Sequence, residues 1–266
     1  MTHLLDIDLS PELEPFRDKI EATVKSFAKI TAKKNQKLTW WQSKFGGLPY
    51  LPKDYDYPRD SQGNPLFLLA QINFTEVPDL DDFPEQGILQ FYIGDSENDL
   101  YGHDLENPFQ QDKFRVIYFP EIIHAEADLV TDFSFLPKPE NLPFSESCSL
   151  QFEKQIAPVS SWDYQFDEIF GEDFFAQFGD KEDGIWQEYD DKFPGDGHKI
   201  GGYAYFTQND PRPYISNEKY VLLLQVDTDN EVDIMWGDSG IGNFFIKPQD
   251  LEKLDFSNVL YNWDCH

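Results

Sequence analysis

Cysteine is nearly missing from this sequence: Cys148 and Cys265 are the only two in 266 residues. That excludes a disulfide framework, which small secreted scaffolds build from several bridges. Basic residues are scarce as well. Twenty-one Lys and Arg face fifty Asp and Glu, a formal charge of −29. The shortage is uneven, because residues 1–53 hold nine bases and six acids (+3) while residues 54–266 hold twelve bases and forty-four acids (−32). Nucleic-acid affinity depends on Lys and Arg displacing counterions, so no nucleic-acid partner is expected. Anionic membranes would repel the same surface. No apolar run approaches the 18 residues of a spanning helix. The opening "MTHLLDIDLSPELEP" lacks a basic segment followed by an apolar core, so no signal peptide is expected, and a cytoplasmic location follows as the expectation.

Aromatic residues, by contrast, are plentiful: 24 Phe, 13 Tyr and 6 Trp. They favour a strand-rich, well-filled interior. The chain also repeats itself. "SKFGGLPYL" (Ser43 to Leu51) matches "HKIGGYAYF" (His198 to Phe206), with Lys44 and Lys199 offset by 155. "LFLLAQIN" (Leu66 to Asn73) matches "VLLLQVD" (Val221 to Asp227), which sets Gln71 against Gln225. "GILQFYI" (Gly87 to Ile93) matches "GIGNFFI" (Gly240 to Ile246), and "FRVIY" (Phe114 to Tyr118) resembles "FSNVLY" (Phe256 to Tyr261).

Each unit is predicted to open with a helix. Leu13, Phe16, Ile20, Val24, Phe27 and Ile30 fall at three- and four-residue spacing behind a Ser10-Pro11 start. Trp162, Phe166, Phe170, Phe174 and Phe178 do the same behind Ser160-Ser161, interrupted by Gly171. The remaining matched segments read as strands, including a hairpin of "YVLLLQV" and "VDIMW" around "DTDNE". The expected fold class is α+β. Two helix-plus-antiparallel-sheet repeats (10–119 and 160–266), joined by a connector (120–159), would be related by a pseudo-twofold. They would build one sheet or partial barrel, a single body over 1–266.

Several patterns imitate catalytic or binding motifs. Gly237-Asp238-Ser239-Gly240 is the tetrapeptide around the serine of trypsin-like proteases, but no histidine stands in the matching context. Its last glycine aligns with Gly87, which opens a strand, so a turn is expected there and no catalytic residue. The acidic run from Asp227 to Asp238 has Val232 where a calcium loop needs glycine, and no metal is expected. Gly46-Gly47 and Gly201-Gly202 lack the trailing residues of phosphate loops, and no cofactor is expected. Cys265-His266 has no second Cys/His pair at zinc spacing. The candidate ligand contacts are Gln71, Asn73, Gln225, Asp227, Trp236 and Asp238, in a cleft between the repeats. The alternative for the two glutamines is a structural polar clamp, since a buried amide must be hydrogen-bonded.

The stretches "SKFGGLPYLP", "LLAQINF", "GILQFYIG", "FRVIYF", "HKIGGYAYFTQNDPR", "LLLQVDTD", "MWGDSGIGNFFI" and "DFSNVLYNWDC" together resemble the YwqG-like family of bacterial proteins. The resemblance runs from Ser43 to Cys265. It implies a cytoplasmic protein without an assigned reaction, and it carries over no site residue. The expected function is therefore that of an acidic, non-enzymatic interaction protein. It would bind a basic partner protein, in an immunity-type role against a toxin or as an adaptor. The alternative is a small-molecule-binding protein using the cleft between the repeats.

Overall fold

A computed structural model describes residues 4–95 and 100–266. The central feature is a ten-stranded sheet in which every pairing is antiparallel. Its strands are β1 (Lys25–Lys34), β2 (Lys44–Phe45), β3 (Phe67–Asn73), β4 (Ile88–Ile93) and β5 (Phe114–Phe119) in the first half of the chain. They are followed by β6 (Cys148–Ala157), β7 (Lys199–Gly201), β8 (Val221–Asp227), β9 (Ile241–Ile246) and β10 (Leu260–Asp264). Across the sheet the order is β10-β9-β8-β7-β1-β6-β2-β3-β4-β5. The long strands β1 and β6 sit at its centre, with β7–β10 on one flank and β2–β5 on the other.

The sheet is strongly curled. Strands β4 and β9 lie seven spacings apart in that order, about 34 Å if the sheet were flat. Yet Phe91 of β4 and Phe244 of β9 have ring centroids 4.9 Å apart. Phe114 on one edge strand meets Tyr261 on the other at 5.2 Å. The flanks therefore fold over a shared interior, the accumulated result of strand twist. Ala28, Ile30, Phe45, Phe91, Phe114, Trp236, Phe244 and Tyr261 fill that interior, each almost wholly buried. At roughly 1.5–3 kcal/mol per large apolar side chain, this contact surface dominates the folding energy. It also leaves the half-barrel packed with side chains.

Short helices cover the rest: α1 (Arg17–Glu21), α2 (Gln165–Phe170), α3 (Glu182–Lys192), α4 (Arg212–Ile215) and α5 (Pro248–Glu252). Leu13, Ile20, Phe166, Phe174, Ile185 and Tyr189 form a second, smaller core where α1, α2 and α3 meet.

Both helix expectations need correction. The first helix stops at Glu21, and Lys25–Lys34 is a strand that turns Ala28 and Ile30 inward and Lys25, Lys29 and Thr31 outward. Thr23-Val24 begins that change, since β-branched residues suit a strand, and the apolar positions fit both periods. The second stripe is no single helix, because Gly171 at φ 97° ends α2. Its phenylalanines instead cluster, Phe166 stacking on Phe170 at 4.8 Å and on Phe175 at 5.3 Å. The segment expected as a connector holds the central strand β6. The partner of β8 is β9, and "VDIMW" is a turn bridged from Asp229 to Ile234.

Candidate functional site

Gln71 and Gln225 occupy equivalent places beside a lysine: Lys44 of β2 stands opposite Gln71, and Lys199 of β7 opposite Gln225. The two glutamines lie five strands apart in the sheet order, and each serves its own loop. The Gln71 amide donates to the Trp40 and Gln42 carbonyls at 2.8 Å each, while its oxygen accepts from Tyr50 N and Gln90 Nε2 at 2.8 Å. Gln225 donates to the Gly195 and Gly197 carbonyls and accepts from Tyr205 N. Both are wholly buried, so these bonds satisfy the amides completely. Asn73 accepts from Thr75 N and donates to the Trp41 carbonyl. Asp227 accepts from Gly197 N at 2.7 Å, and burial pushes its carboxyl pKa up against that bond. The structure thus groups Gln71 with Asn73, and Gln225 with Asp227, each group around a loop.

Trp236 is buried against Tyr101 and Trp263, and among the described residues its Nε1 has no hydrogen-bond partner. Asp238 is exposed, and its carbonyl accepts from His266 N. Ser239 sits exposed in a turn at φ 57°, and among the described residues no histidine ring reaches it. His198 is engaged on both nitrogens: Nδ1 accepts from Asp227 N at 2.9 Å, and Nε2 lies 3.3 Å from Asp229 Oδ2. The Gly-Gly pairs all have positive φ, at 64° and 74° for Gly46-Gly47 and at 76° and 71° for Gly201-Gly202. A Cβ on Gly46 would stand 2.6 Å from Phe144, which gives that turn a packing reason as well.

A different constellation emerges beside the helical layer. Arg212, at the start of α4, donates to Asp210 Oδ2 at 2.5 Å and to Asp163 Oδ2 at 2.8 Å. The guanidinium lies 4.7 Å from the centroid of Tyr164 and 4.4 Å from that of Phe245. Burial works against its charge, but Asp163 and Asp210 outweigh that and raise its pKa. The same pairing keeps the Asp163 carboxyl below its ordinary value despite burial. Asp163 also accepts from Gln165 N and Ala204 N, and so fixes the entry to α2.

Asp163 and Asp210 of this ion cluster line a surface cleft of about 530 Å³ between α2 and residues 208–214. Its walls carry Trp162, Tyr164 and Tyr214 together with Asp167, Glu168 and Glu172. Tyr214 is 85% exposed, more than any other large hydrophobic side chain among the described residues. The three acids are exposed and form no ion pair among the described residues. Burial, then the Glu172 charge, raises the Asp167 pKa. Sequence reading missed this site. "QNDPR" was visible, but the chain separation between Asp163 and Arg212 hid their contact.

Among the described residues no helix is long and apolar enough to cross a membrane. No curated protein matches the chain. A family model described as a domain of unknown function (DUF1963) matches residues 43–265, which span nearly the whole sheet from β2 to β10. The chain belongs to the DUF1963 family.

Proposed function

We propose that the protein is a binding module that captures a Lys/Arg-rich polypeptide segment in the cleft between α2 and Tyr214. The observation that carries this is the lining: aromatic rings beside three carboxylates, Asp167, Glu168 and Glu172, that have no cation partner among the described residues. Tyr and Trp supply contact area at low entropic cost, and lysine or arginine can sit over their faces. A charge of −32 on residues 54–266 adds long-range steering of a basic partner. The packed interior of the half-barrel argues for recognition at the surface and against a ligand inside it. An immunity-type or adaptor role would use the same recognition.

The placement of the cleft fits an internal duplication, which we also infer. Under this reading each unit is a long strand, a short Lys-bearing strand ending in Gly-Gly, a Gln-bearing strand, its hairpin partner and a last strand. The first unit runs from β1 to β5 and the second from β6 to β10. Each short strand pairs with the long strand of the other unit, β7 with β1 and β2 with β6, which would lock the units into one body. Both hairpins carry an irregularity at the same point, Leu68/Ala70 and Leu222/Leu224. The α2–α3 region is then an insertion between β6 and β7, the usual place for function grafted on a repeated scaffold.

Calorimetric titration with an oligo-arginine/lysine peptide, and separately with an oligo-glutamate peptide, tests the function. Binding of the basic peptide alone, weakening as salt rises, is the expected outcome. Equal heats for both peptides, or none for either, would refute it.

A further inference from the structure

A second cleft, on the opposite electrostatic footing, lies on the outer face of the central strands. It has a volume of about 510 Å³. Lys29 of β1 and Lys199 of β7 stand directly opposite each other in its floor. Like charges in that register repel. Among the described residues neither ammonium has a carboxylate within 4.0 Å, in a chain with fifty acidic residues to draw on. Asp196, on the cleft wall, is exposed and pairs with neither.

Comparison with Lys44 sharpens the point, because Lys44 and Lys199 share one register position. Lys44 Nζ has three carbonyls in reach, those of Thr39, Trp40 and Leu48, one for each N–H. Lys199 Nζ donates to the Gly195 carbonyl and lies 5.8 Å from the Phe27 ring. Two of its three N–H groups have no protein acceptor among the described residues, although the residue is only 4% exposed. Burial lowers its pKa to about 8, and the more distant carboxylates of Asp196, Asp163 and Asp227 offset only part of that. A buried ammonium with unfilled donors is expensive unless something completes it.

The geometry points to a binding site for a small organic monoanion, a carboxylate with an apolar body, held between Lys199 and Lys29. Leu5, Ile7, Phe27 and Tyr203 supply apolar walls for that body. The apolar walls suit the body of an organic carboxylate, which inorganic phosphate lacks, and the net charge of the protein would repel a phosphate dianion more strongly than a monoanion. This site is independent of the basic-peptide cleft and can stand or fall alone.

Titration calorimetry with phenylacetate, benzoate and isovalerate, and with inorganic phosphate as the contrasting anion, tests it. At least one carboxylate is expected to bind in the millimolar range, more tightly than phosphate. Lys29→Ala, an exposed change, should weaken binding by about tenfold, and Lys199→Met by about a hundredfold. Lys44→Met should leave it unchanged. Acetic anhydride labelling read by mass spectrometry gives a second readout, since the bound carboxylate should slow acetylation of Lys199 but not of Lys53. No binding by any of the three carboxylates up to about 10 mM would overturn the assignment. So would phosphate binding as tightly, or affinity that survives both Lys29→Ala and Lys199→Met.

Discussion

Replacing Gln71 by leucine is the sharpest probe of how the sheet holds its loops. Leucine matches the glutamine in size and suits the apolar strand β3, so little packing is lost. What disappears is a set of four hydrogen bonds, to the carbonyls of Trp40 and Gln42 and from Tyr50 N and Gln90 Nε2. Trp40 and Gln42 lie in the loop after β1, Tyr50 in the segment after β2, and Gln90 opposite Gln71 on β4. Leaving a buried polar group without a partner costs about 1–3 kcal/mol. Gln90 keeps a bond to the Tyr50 carbonyl, and the Trp40 and Gln42 carbonyls can gain water if the loop loosens. The total is therefore not four full penalties. A loss of about 3–5 kcal/mol is expected, a large part of the stability of an ordinary domain. Urea denaturation followed by tryptophan fluorescence measures it, with an unchanged m-value showing that the unfolded state is the same. A loss below about 1 kcal/mol would refute the clamp, because that is the size of a routine surface change.

Arg212→Leu should destabilise by about 3–5 kcal/mol, since it strands the buried Asp163 carboxylate; thermal unfolding would show it, and a stabilised variant would contradict the assignment of that cluster. Stability should rise between about pH 8 and pH 10. Burial lowers the pKa of both Lys44 and Lys199 to about 8, so over that window the unfolded chain binds more protons than the folded one. Above pH 10 the trend should reverse. There the unfolded tyrosines ionise, while Tyr92 and Tyr261 stay protonated because burial raises their pKa well above 10.0. Lys44→Met should remove part of the rise; a flat profile across the window would contradict it. Ser239→Ala should change stability by no more than about 0.5 kcal/mol, as expected of an exposed turn residue.

The flanks of the sheet were readable from sequence because their strands are buried on both faces. "FLLAQIN", "ILQFYI" and "VLLLQVD" are near-continuous apolar runs, too short for most helices and of strand length. The centre was not readable. Strand β1 buries only one face, so its apolar residues are sparse and coincide with a helical spacing from Leu13 to Ile30. Strand β6, "CSLQFEKQIA", has an exposed outer face and reads as a linker. Gln71 and Gln225 stood out as polar residues in apolar strands, but their partners are mostly backbone atoms of distant loops, and these have no side-chain signature. The Asp163–Arg212 contact was hidden for a related reason: a buried ion pair depends on a chain crossing that single-residue chemistry does not encode.

The most direct test of the binding function is the anisotropy of a fluorescently labelled Lys/Arg-rich peptide titrated with two charge-matched variants. One is neutralised in the cleft (Asp167→Asn, Glu168→Gln and Glu172→Gln). The other is neutralised at three exposed acids far along the chain (Asp54→Asn, Asp56→Asn and Glu121→Gln). The first, and Tyr214→Ala with it, should weaken binding by about thirtyfold, the loss of a hot-spot contact. The second should change affinity by no more than about twofold at moderate salt. Equal losses in the two triple variants, with Tyr214→Ala silent, would contradict the assignment: the acidic surface as a whole would then bind the peptide, and the cleft would have no special part in it.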